Sequence, residues 1–390
     1  MAITINSGPS QYASIHEGLW HVVTSDKTGE SSFKYVFDIY INGTQVIRYK
    51  SFPNPSTTKG WFDCTNIIRN YWQSYFKPNT TQTAFAYTGN DNFITYEIKF
   101  GEEYGGTTYL NLTSATYTAY NYYSPAFFTP TSPYLAGFVD KWLTHRDLNN
   151  LNVTFGEKLY VSFMNIGSTY NNALKMQVFT PSGASSIYTG AAISNNKYVL
   201  CDISPTALNT YFGTGYIDST ALYYEVWITN QSNFTDKIRV YLTCAPRYTP
   251  KVIHFLNSLG GYETFQFRMI SRESRTSERV LFQRLPFEYD SATTSLKPYD
   301  SYKKMYAGTI PLSITQRPAI KLVSDFVNET DYNWLKELIN SSEAYLEENG
   351  YYYPMNITTS NWTQKRNYAD KNFNLELDLD YGRNIHSQYR

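Results

Sequence analysis

The chain has 390 residues, and at roughly 100–200 residues per domain this length allows two to four domains. Lys plus Arg and Asp plus Glu each total 33, so the formal net charge is zero and a nucleic-acid binder that relies on bulk positive charge is excluded. Aromatic residues make up 17% of the chain, which excludes intrinsic disorder, and the 38 tyrosines favour strands over helices.

Cysteine usage and hydropathy bound the class of protein further. Cys64, Cys201 and Cys244 lie far apart with no C-x-x-C spacing, so we expect neither a disulfide framework nor a four-cysteine zinc site. The first residues show no basic segment followed by an apolar one, and no run of about 18 apolar residues occurs. We therefore expect a chain that carries no standard export signal and does not insert into a membrane.

The N-terminal region reads as strands separated by turns. Residues 33–41 and 44–50 flank the pair Asn42-Gly43, which accepts positive φ in a type I′ turn, so this segment predicts a β-hairpin. Thr65 is the predicted cap of a short helix at residues 66–72. We expect one N-terminal β domain over residues 1–133.

The middle region predicts a small β-sandwich. Three prolines in residues 125–133 indicate a linker or a strand that cannot pair on both sides, and the first domain boundary is placed there. A second β domain is expected over residues 134–246, because five strand-like runs are separated there by loops rich in Gly, Ser and Asn. These runs are residues 158–166, 174–180, 197–203, 222–229 and 237–244.

The C-terminal region, residues 247–390, predicts a β-rich domain with one clear helix. The helix is expected at residues 331–340 with Thr330 as its N-cap, after a strand at residues 318–327. In the last strand, Phe373, Leu375, Leu377, Leu379 and Tyr381 alternate with polar residues, so one face is expected to be buried. The fold class is therefore mainly β, with multidomain β-sandwich-type modules.

No sequence pattern supports catalysis, and we predict that the chain is not an enzyme and has no catalytic, cofactor or metal site. It contains no G-x-S-x-G and no phosphate-binding loop, and its five histidines are isolated. Glu376, Asp378 and Asp380 share one strand face, a spacing that could hold a cation or form a carboxylate pair. A solvated strand face explains the same residues and is favoured.

Two groups of residues are candidate interface residues. Arginines surround a segment rich in Ser, Thr and Glu, which is expected to be a loop. This loop could contact an acidic protein surface or packaged DNA, whereas a salt-bridged hairpin tip is the simpler interpretation. Tyrosines in the clusters 120–123 and 351–353 could form contact patches, although core packing explains tyrosines equally well. The candidates are Arg268, Arg272, Arg275, Arg279, Arg284, Tyr122, Tyr123, Tyr351 and Tyr352.

Three segments carry a resemblance to a known group of proteins. They are Gly60-Trp61-Phe62-Asp63 with the following Asn66-Ile67-Ile68-Arg69, then residues 255–265 around Leu259-Gly260-Gly261, and residues 334–357 from Trp334-Leu335 to Asn356-Ile357. Together they resemble virion structural proteins of crAss-like tailed phages. The resemblance implies a virion subunit, assembled in the host bacterial cytoplasm, that forms a homo-oligomeric ring or collar of the tail or portal vertex and contacts other tail, ring or portal proteins.

A second hypothesis belongs to a different class. Aromatic platforms on a β-sandwich with Asn-rich loops are also typical of carbohydrate-binding receptor or fibre proteins, some of which are polysaccharide depolymerases. A carboxylate pair beside aromatic residues would favour this hypothesis, and the sequence shows no convincing pair. The structural subunit is therefore the preferred interpretation.

Overall fold

The structure is a computed structural model, and it describes residues 3–16, 18–73, 76–78, 85–89, 93–123, 142–165, 172–193, 197–213, 215–229, 235–359, 363 and 373–386. Strands account for 51% and helices for 8%, and the strands form several sheets. The mainly β, multi-sheet fold predicted from the sequence is confirmed.

The chain divides into two compact units. The first comprises Met1–Ala245 and His254–Phe265, and the second comprises Pro246–Ile253 and Gln266–Arg390. The chain therefore passes into the second unit, returns briefly to the first, and then completes the second. The predicted linker at residues 125–133 lies outside the described residues, and the division into three domains stays a prediction.

Two sheets build the first half of the first unit. One has the order β1-β3-β6 and the other has the order β2-β10-β8-β4-β5, with β9 beside β8. The rings of Phe37 and Phe62, which belong to different sheets, lie 5.0 Å apart, so the sheets share one core. The strands are β1 (Thr4–Ser7), β2 (Tyr12–Ser14), β3 (Trp20–Thr24), β4 (Lys34–Ile41), β5 (Thr44–Ser51), β6 (Gly60–Asp63), β8 (Phe93–Tyr104), β9 (Thr107–Thr113) and β10 (Tyr117–Tyr120). Between β6 and β8 along the chain lies β7 (Phe85–Gly89), which joins a sheet of the second half.

The predicted hairpin is confirmed, and the predicted cap of the first helix is corrected. Asn42 and Gly43 join β4 to β5 with φ of 49° and 79°, as a type I′ turn requires. Helix α1 (Thr65–Tyr71) begins at Thr65 itself, and its N-cap residue makes no side-chain cap bond. The Asp63 carboxylate instead accepts a 2.9 Å hydrogen bond from the Thr65 amide.

The second half of the first unit is sandwich-like, with two sheets around one core, and its smaller sheet includes β7, which lies outside the range 134–246 predicted for a sandwich domain. Its sheets have the orders β11-β18-β17-β13-β14, with β15 beside β13, and β12-β16-β7. Phe163 and Val199 of the smaller sheet share a core with Met176 and Val226 of the larger one. The strands are β11 (Leu151–Val153), β12 (Tyr160–Asn165), β13 (Asn172–Thr180), β14 (Gly183–Ala184), β15 (Tyr188–Ile193), β16 (Lys197–Asp202), β17 (Tyr223–Thr229) and β18 (Ile238–Leu242).

This sandwich contains a helix that the sequence analysis missed, α2 (Pro205–Phe212). Ser204 is its N-cap and accepts from the Ala207 amide, and Pro205 occupies the first helical turn. A Ser-Pro pair before an apolar stretch is a recognised start signal, so the local sequence did contain the information. Leu208 is fully buried in the sandwich core and fixes the helix against it.

The second unit is one large sheet with a helical segment. The strands of this sheet have the order β20-β19-β25-β26-β27-β24-β21, and β28 pairs with β24. A separate two-stranded sheet pairs β22 with β23. The strands are β19 (Lys251–Leu256), β20 (Tyr262–Phe267), β21 (Arg272–Gln283), β22 (Glu288–Asp290), β23 (Ser295–Lys297), β24 (Thr309–Val323), β25 (Ala344–Glu348), β26 (Tyr351–Ile357), β27 (Glu376–Tyr381) and β28 (Ile385–His386).

The C-terminal helix begins earlier than predicted. It consists of α3 (Glu329–Trp334) and α4 (Lys336–Ile339), separated only by Leu335. Asn328, and not Thr330, is the N-cap, because its side chain accepts from the Asp331 amide at 2.6 Å. The strand predicted at residues 318–327 is also corrected, since β24 begins nine residues earlier and ends at Val323.

The predicted alternation in the last strand is confirmed. Leu375, Leu377 and Leu379 are each at most 5% exposed, whereas Glu376 and Asp378 between them are exposed. This burial pattern places one face of β27 in the core of the second unit and the other in water.

The turn between β19 and β20 is held inside the first unit by a buried polar network. The Asn257 side-chain amide donates to the Leu143 carbonyl and to the Glu263 carboxylate, both at 2.7 Å. Gly260 has φ of 76°, and a Cβ there would lie 2.3 Å from the Asn121 carbonyl oxygen. Only glycine fits this approach, so the Gly-Gly pair in the resemblance segment has a structural explanation.

His21 is a buried titratable group in the first core. It is 0% exposed, and its ring lies 5.3 Å from Tyr117 and 5.7 Å from Phe100. Within the described residues neither ring nitrogen has a hydrogen-bond partner. Burial lowers the His21 pKa to about 4 against the opposing effect of Asp63, so protonation favours the unfolded chain.

We predict that His21 makes the chain acid-sensitive. The folded pKa of His21 lies below the unfolded value of 6.5, so protons bind the unfolded chain more tightly. The unfolding free energy is therefore unaffected by His21 protonation well above pH 6.5 and decreases as pH falls from 6.5 towards 4. The unfolding free energy of the wild type relative to His21→Leu should fall by about 3 kcal/mol between pH 7 and pH 4, measured by urea denaturation. A difference that does not change with pH would contradict the assignment.

Candidate interaction surface

A long strand at the edge of the C-terminal sheet replaces the predicted arginine loop, and its outer end, where β24 has no other partner, is a two-stranded ribbon. Residues 272–283 form strand β21, which pairs antiparallel with β24 from Arg272–Lys321 to Gln283–Thr309. We call residues 268–319 the arm. Its end nearest the rest of the sheet, where Ser274 pairs with Ala319, is called the root. The loop expectation is wrong because this strand has no buried face and so shows no alternation of apolar and polar residues.

The geometry of β24 explains how it tolerates proline. Pro318 has no N–H to donate to a ladder. On the side away from β21, β24 pairs with β27 through residues 319–323 and with β28 through residues 315 and 316. Pro318 therefore lies between these two ladders, where the missing donor interrupts neither.

The arm buries no side chain. Every residue from 268 to 319 is half-buried or exposed, although the arm carries many large apolar side chains. Ten of them, all between residues 280 and 312, are 45–80% exposed, a concentration of apolar surface that marks contact sites in folded proteins. They are Val280, Leu281, Phe282, Leu285, Tyr289, Leu296, Tyr299, Tyr302, Met305 and Leu312.

Polar contacts give the outer part of the arm a defined conformation. Asp290 accepts from the Ala292 amide and pairs with Lys297 across the β22–β23 hairpin, and the hydrogen bond from Lys297 lowers the Asp290 pKa to about 2. The Asp300 carboxylate accepts from the amides of Tyr302 and Lys304, each at 2.9 Å. This turn presents Tyr302, which is 80% exposed, to solvent.

The structure separates the five candidate arginines into two groups. Arg272, Arg275 and Arg279 are exposed on β21. Arg268 follows β20 and is half-buried, and Arg284 donates to the Ala307 carbonyl at 3.2 Å within the arm. The three arginines on β21 are therefore the ones presented to solvent.

The candidate tyrosines also differ in exposure. Tyr122 is 2% exposed and belongs to the interior, so its predicted exposure is corrected. Tyr123 is 58% exposed and stands edge-on to His16. In β26, Tyr351 is 69% exposed and Tyr352 is half-buried, so of these two candidates Tyr351 is the one that faces water.

A groove at the root of the arm brings one candidate arginine close to the C-terminal tyrosines. It has a volume of about 570 Å³, and the rings of Tyr353 and Tyr381 meet edge-on within it, 6.2 Å apart. Burial raises the pKa of Tyr381, which keeps this phenol neutral. The lining residues are Glu273, Ser274, Arg275, Pro318, Ala319, Tyr353, Tyr381, Arg383 and Asn384.

The carboxylates of β27 do not form a cluster of metal ligands. Glu376 pairs with Lys321 of β24, and no group of three potential ligands is found within the described ranges. The solvated strand face is the interpretation that agrees with this arrangement.

In the described part of the chain, no helix is long and apolar enough to cross a membrane.

Sequence reasoning missed the outer part of the arm as a candidate surface. Leu285, Tyr289, Tyr302 and Met305 lie in a segment with no periodicity, so nothing marked them as exposed or buried. The available signal was composition alone, because large apolar residues occur there between turn-forming Pro, Asp, Ser and Gly residues.

Comparison with known proteins does not identify a family. No protein-family model matches the chain, and no curated protein matches it. Among solved structures, a match is found to the full extracellular region of plexin A4, domains 1 to 10, at 11% identity and a TM-score of 0.21. It covers 63% of this chain and about a fifth, 21%, of that one, and a TM-score this low carries no argument about fold or function.

We predict that the isolated chain protects the arm weakly from amide hydrogen exchange. Its ladder is stabilised by main-chain hydrogen bonds without a covering layer of side chains, so local opening costs little free energy. Peptides from residues 280–312 should exchange at least about tenfold faster than peptides from residues 344–357, measured by mass spectrometry of the monomer. Equal protection of the two regions would show that the arm is covered within a single chain.

Proposed function

We propose that the chain is a structural subunit of a tailed-phage virion. It assembles with copies of itself into a ring or collar of the tail or portal vertex, and it docks neighbouring tail proteins. The observation that carries this proposal is the arm, in which residues 268–319 contain no buried side chain and residues 280–312 present ten large, strongly exposed apolar ones.

The apolar area of the arm is sufficient for a stable protein contact. Four of the ten side chains are aromatic, each with about 150–250 Å² to bury, and together with the six aliphatic ones, at about half exposure or more, they offer on the order of 800 Å². A stable interface uses about 800 Å² on each partner. The arm could therefore account for one subunit contact without any contribution from the compact part of the second unit.

The ends of the sheets supply further candidate contacts. Strand β5 is the last strand of the larger N-terminal sheet, and β21 is the last strand of the C-terminal sheet. A terminal strand presents unpaired N–H and C=O groups that a strand of another chain can bind. Two different contact surfaces on one subunit are what a closed ring requires, because each copy must bind a neighbour on both sides.

The virion assignment rests on the resemblance of three sequence segments to crAss-like phage structural proteins. In this structure those segments belong to strand β6 and helix α1, to the buried β19–β20 turn, and to the helical segment with β25 and β26. They are framework elements of both units, which supports a likeness of architecture and says nothing about chemistry.

The test is self-assembly of the purified full chain. Light scattering after size exclusion should give oligomers whose mass rises with concentration, and negative-stain images should show closed rings. The double variant Leu281→Ser, Phe282→Ser should weaken association about 30-fold, because it removes roughly 2 kcal/mol of apolar burial on binding. Ile187→Ser removes a side chain that is 52% exposed outside the arm and serves as the matched control.

Two results would contradict the proposed function. A chain that stays monomeric at every concentration, and that binds or cleaves capsular polysaccharide, would replace this proposal with the carbohydrate-binding alternative. Equal effects of the arm variant and the Ile187 variant would show that the arm is not the contact surface.

A further inference from the structure

Strand β21 has one unpaired edge along its whole length. It is the last strand of its sheet, it spans twelve residues, and all of them except half-buried Ser277 are exposed. The irregularity in its ladder with β24 falls between Val280 and Leu281, and the extra residue there is Leu312 of β24. Strand β21 itself is therefore regular, so its outer edge can pair continuously with another strand.

The charges on β21 alternate in sign, which suits a partner of the same sequence. The strand carries Arg272, Glu273, Arg275, Glu278 and Arg279. Glu278 already pairs with Arg317 of β24 at 3.3 Å.

The other four charges on β21 make no ion pair with any described residue. Glu273 is the one acidic residue among them, and a second copy of β21 offers it three arginines, Arg272, Arg275 and Arg279. The register decides which of these arginines lies opposite Glu273.

Twofold symmetry restricts the register that such a pair can adopt. Two antiparallel edge strands related by a twofold axis place one central residue opposite itself, with the others symmetric about it. A centre at Glu273, Arg275, Glu278 or Arg279 places that charge opposite its own copy. A centre at Ser277 places Arg275 opposite Arg279. All of these registers bring like charges together and are disfavoured.

The remaining central positions are Ser274, Thr276 and Val280, since centres nearer the strand ends overlap less. A centre at Ser274 overlaps only residues 272–276 of β21. A centre at Val280 places Arg279 opposite Leu281 and makes no pair of opposite charges. Neither register combines a long ladder with charge complementarity.

A centre at Thr276 satisfies both conditions. The overlap then covers residues 272–280, and Glu273 of each copy lies opposite Arg279 of the other. Two ion pairs form by symmetry, and the two central threonines face each other, an arrangement that favours cross-strand hydrogen bonding.

The same register extends favourably beyond the ladder. Ile270 comes opposite Phe282, and these side chains are 53% and 51% exposed in the single chain. At each end of the paired strands, beyond the charged residues, the apolar side chain of Ile270 therefore lies next to that of Phe282 from the other copy.

We propose that β21 pairs antiparallel with β21 of a second copy of this chain, centred on Thr276, with Glu273 and Arg279 forming reciprocal ion pairs. The inference rests on the proposed self-assembly and assigns the β21 edge to a twofold contact between copies. A ring then closes through other surfaces of the subunit, such as the edge of β5 and the apolar side chains of the arm. The two C-terminal sheets become one continuous sheet across the twofold axis, and the edges that are exposed in the monomer become internal strands.

Disulfide cross-linking at the symmetry axis tests the register directly. In the register centred on Thr276, the two copies of this residue have Cα atoms about 4.5–5.5 Å apart, within the range of a disulfide. Thr276→Cys, in a Cys244→Ser background because Cys244 is the exposed native thiol, should give a disulfide-linked dimer under mild oxidation. Non-reducing gel electrophoresis measures the dimer fraction.

Ser274→Cys in the same background is the matched control. Residue 274 is exposed on the same strand, but in the proposed register its two copies are separated by four residues along the ladder, about 14 Å. The distance exceeds the reach of a disulfide. The Thr276 variant should therefore cross-link at least about tenfold faster, and equal rates would overturn the register.

Charge exchange supplies an independent measurement. Glu273→Arg and Arg279→Glu each convert two attractive pairs into two repulsive ones, and each should weaken dimerisation about tenfold in sedimentation equilibrium. The double variant restores opposite charges across the axis and should regain most of the affinity. A double variant weaker than both singles would overturn the reciprocal pairing.

The outcomes separate this inference from the proposed function. Oligomers that form without preferential cross-linking at residue 276 would overturn the β21 pairing and leave the assembly proposal standing. A chain that remains monomeric in every experiment would overturn both. Oligomers dissolved by added duplex DNA, with no cross-link at residue 276, would assign the β21 arginines to nucleic acid.

Discussion

The main-chain ladder between β21 and β24 is the interaction on which the proposed surface depends. A ribbon of two strands is marginal in water when no side chains cover it. This one persists because β24 continues into the body of the sheet, where Leu322 is fully buried and residues 319–323 pair with β27. The root is thus anchored by a core, and the outer arm extends from it on backbone hydrogen bonds and exposed polar contacts, without a core of its own.

Stability comes from the cores, and much of the tyrosine content serves them. Tyr35 and Tyr96 in the first half of the first unit, and Tyr198 and Tyr224 in the sandwich, are all at most 1% exposed. Their hydroxyl groups need partners in the interior, as in the 2.7 Å bond from Tyr224 to the Ile203 carbonyl. A high tyrosine count therefore indicates large aromatic cores as much as contact surfaces, and exposure has to be read residue by residue.

The charges along β21 have two physical consequences for an exposed edge. Charged side chains disfavour pairing with arbitrary strands, because most registers bring like charges together or leave a charge opposite an apolar residue. Charges of alternating sign still permit the few registers in which they complement each other. The edge is protected from unrelated strands by the same residues, Glu273 and Arg279, that favour a second copy.

The sequence by itself determined the mainly β class, the hairpin at Asn42-Gly43 and the buried face of the last strand. Each of these follows from local rules, because a type I′ turn needs positive φ and a half-buried strand alternates with a period of two. The local sequence also contains the start signal of α2, the pair Ser204-Pro205, although the sequence analysis did not predict this helix.

Only the tertiary structure decided that β21 is a strand, that Tyr122 is buried while Tyr123 is exposed, and that Arg275 shares a groove with Tyr353. An exposed strand has no apolar face and so leaves no periodic trace in its sequence. The exposure of Tyr122 and the groove at the arm's root depend on segments that are far apart along the chain, and no local pattern records which distant segments meet.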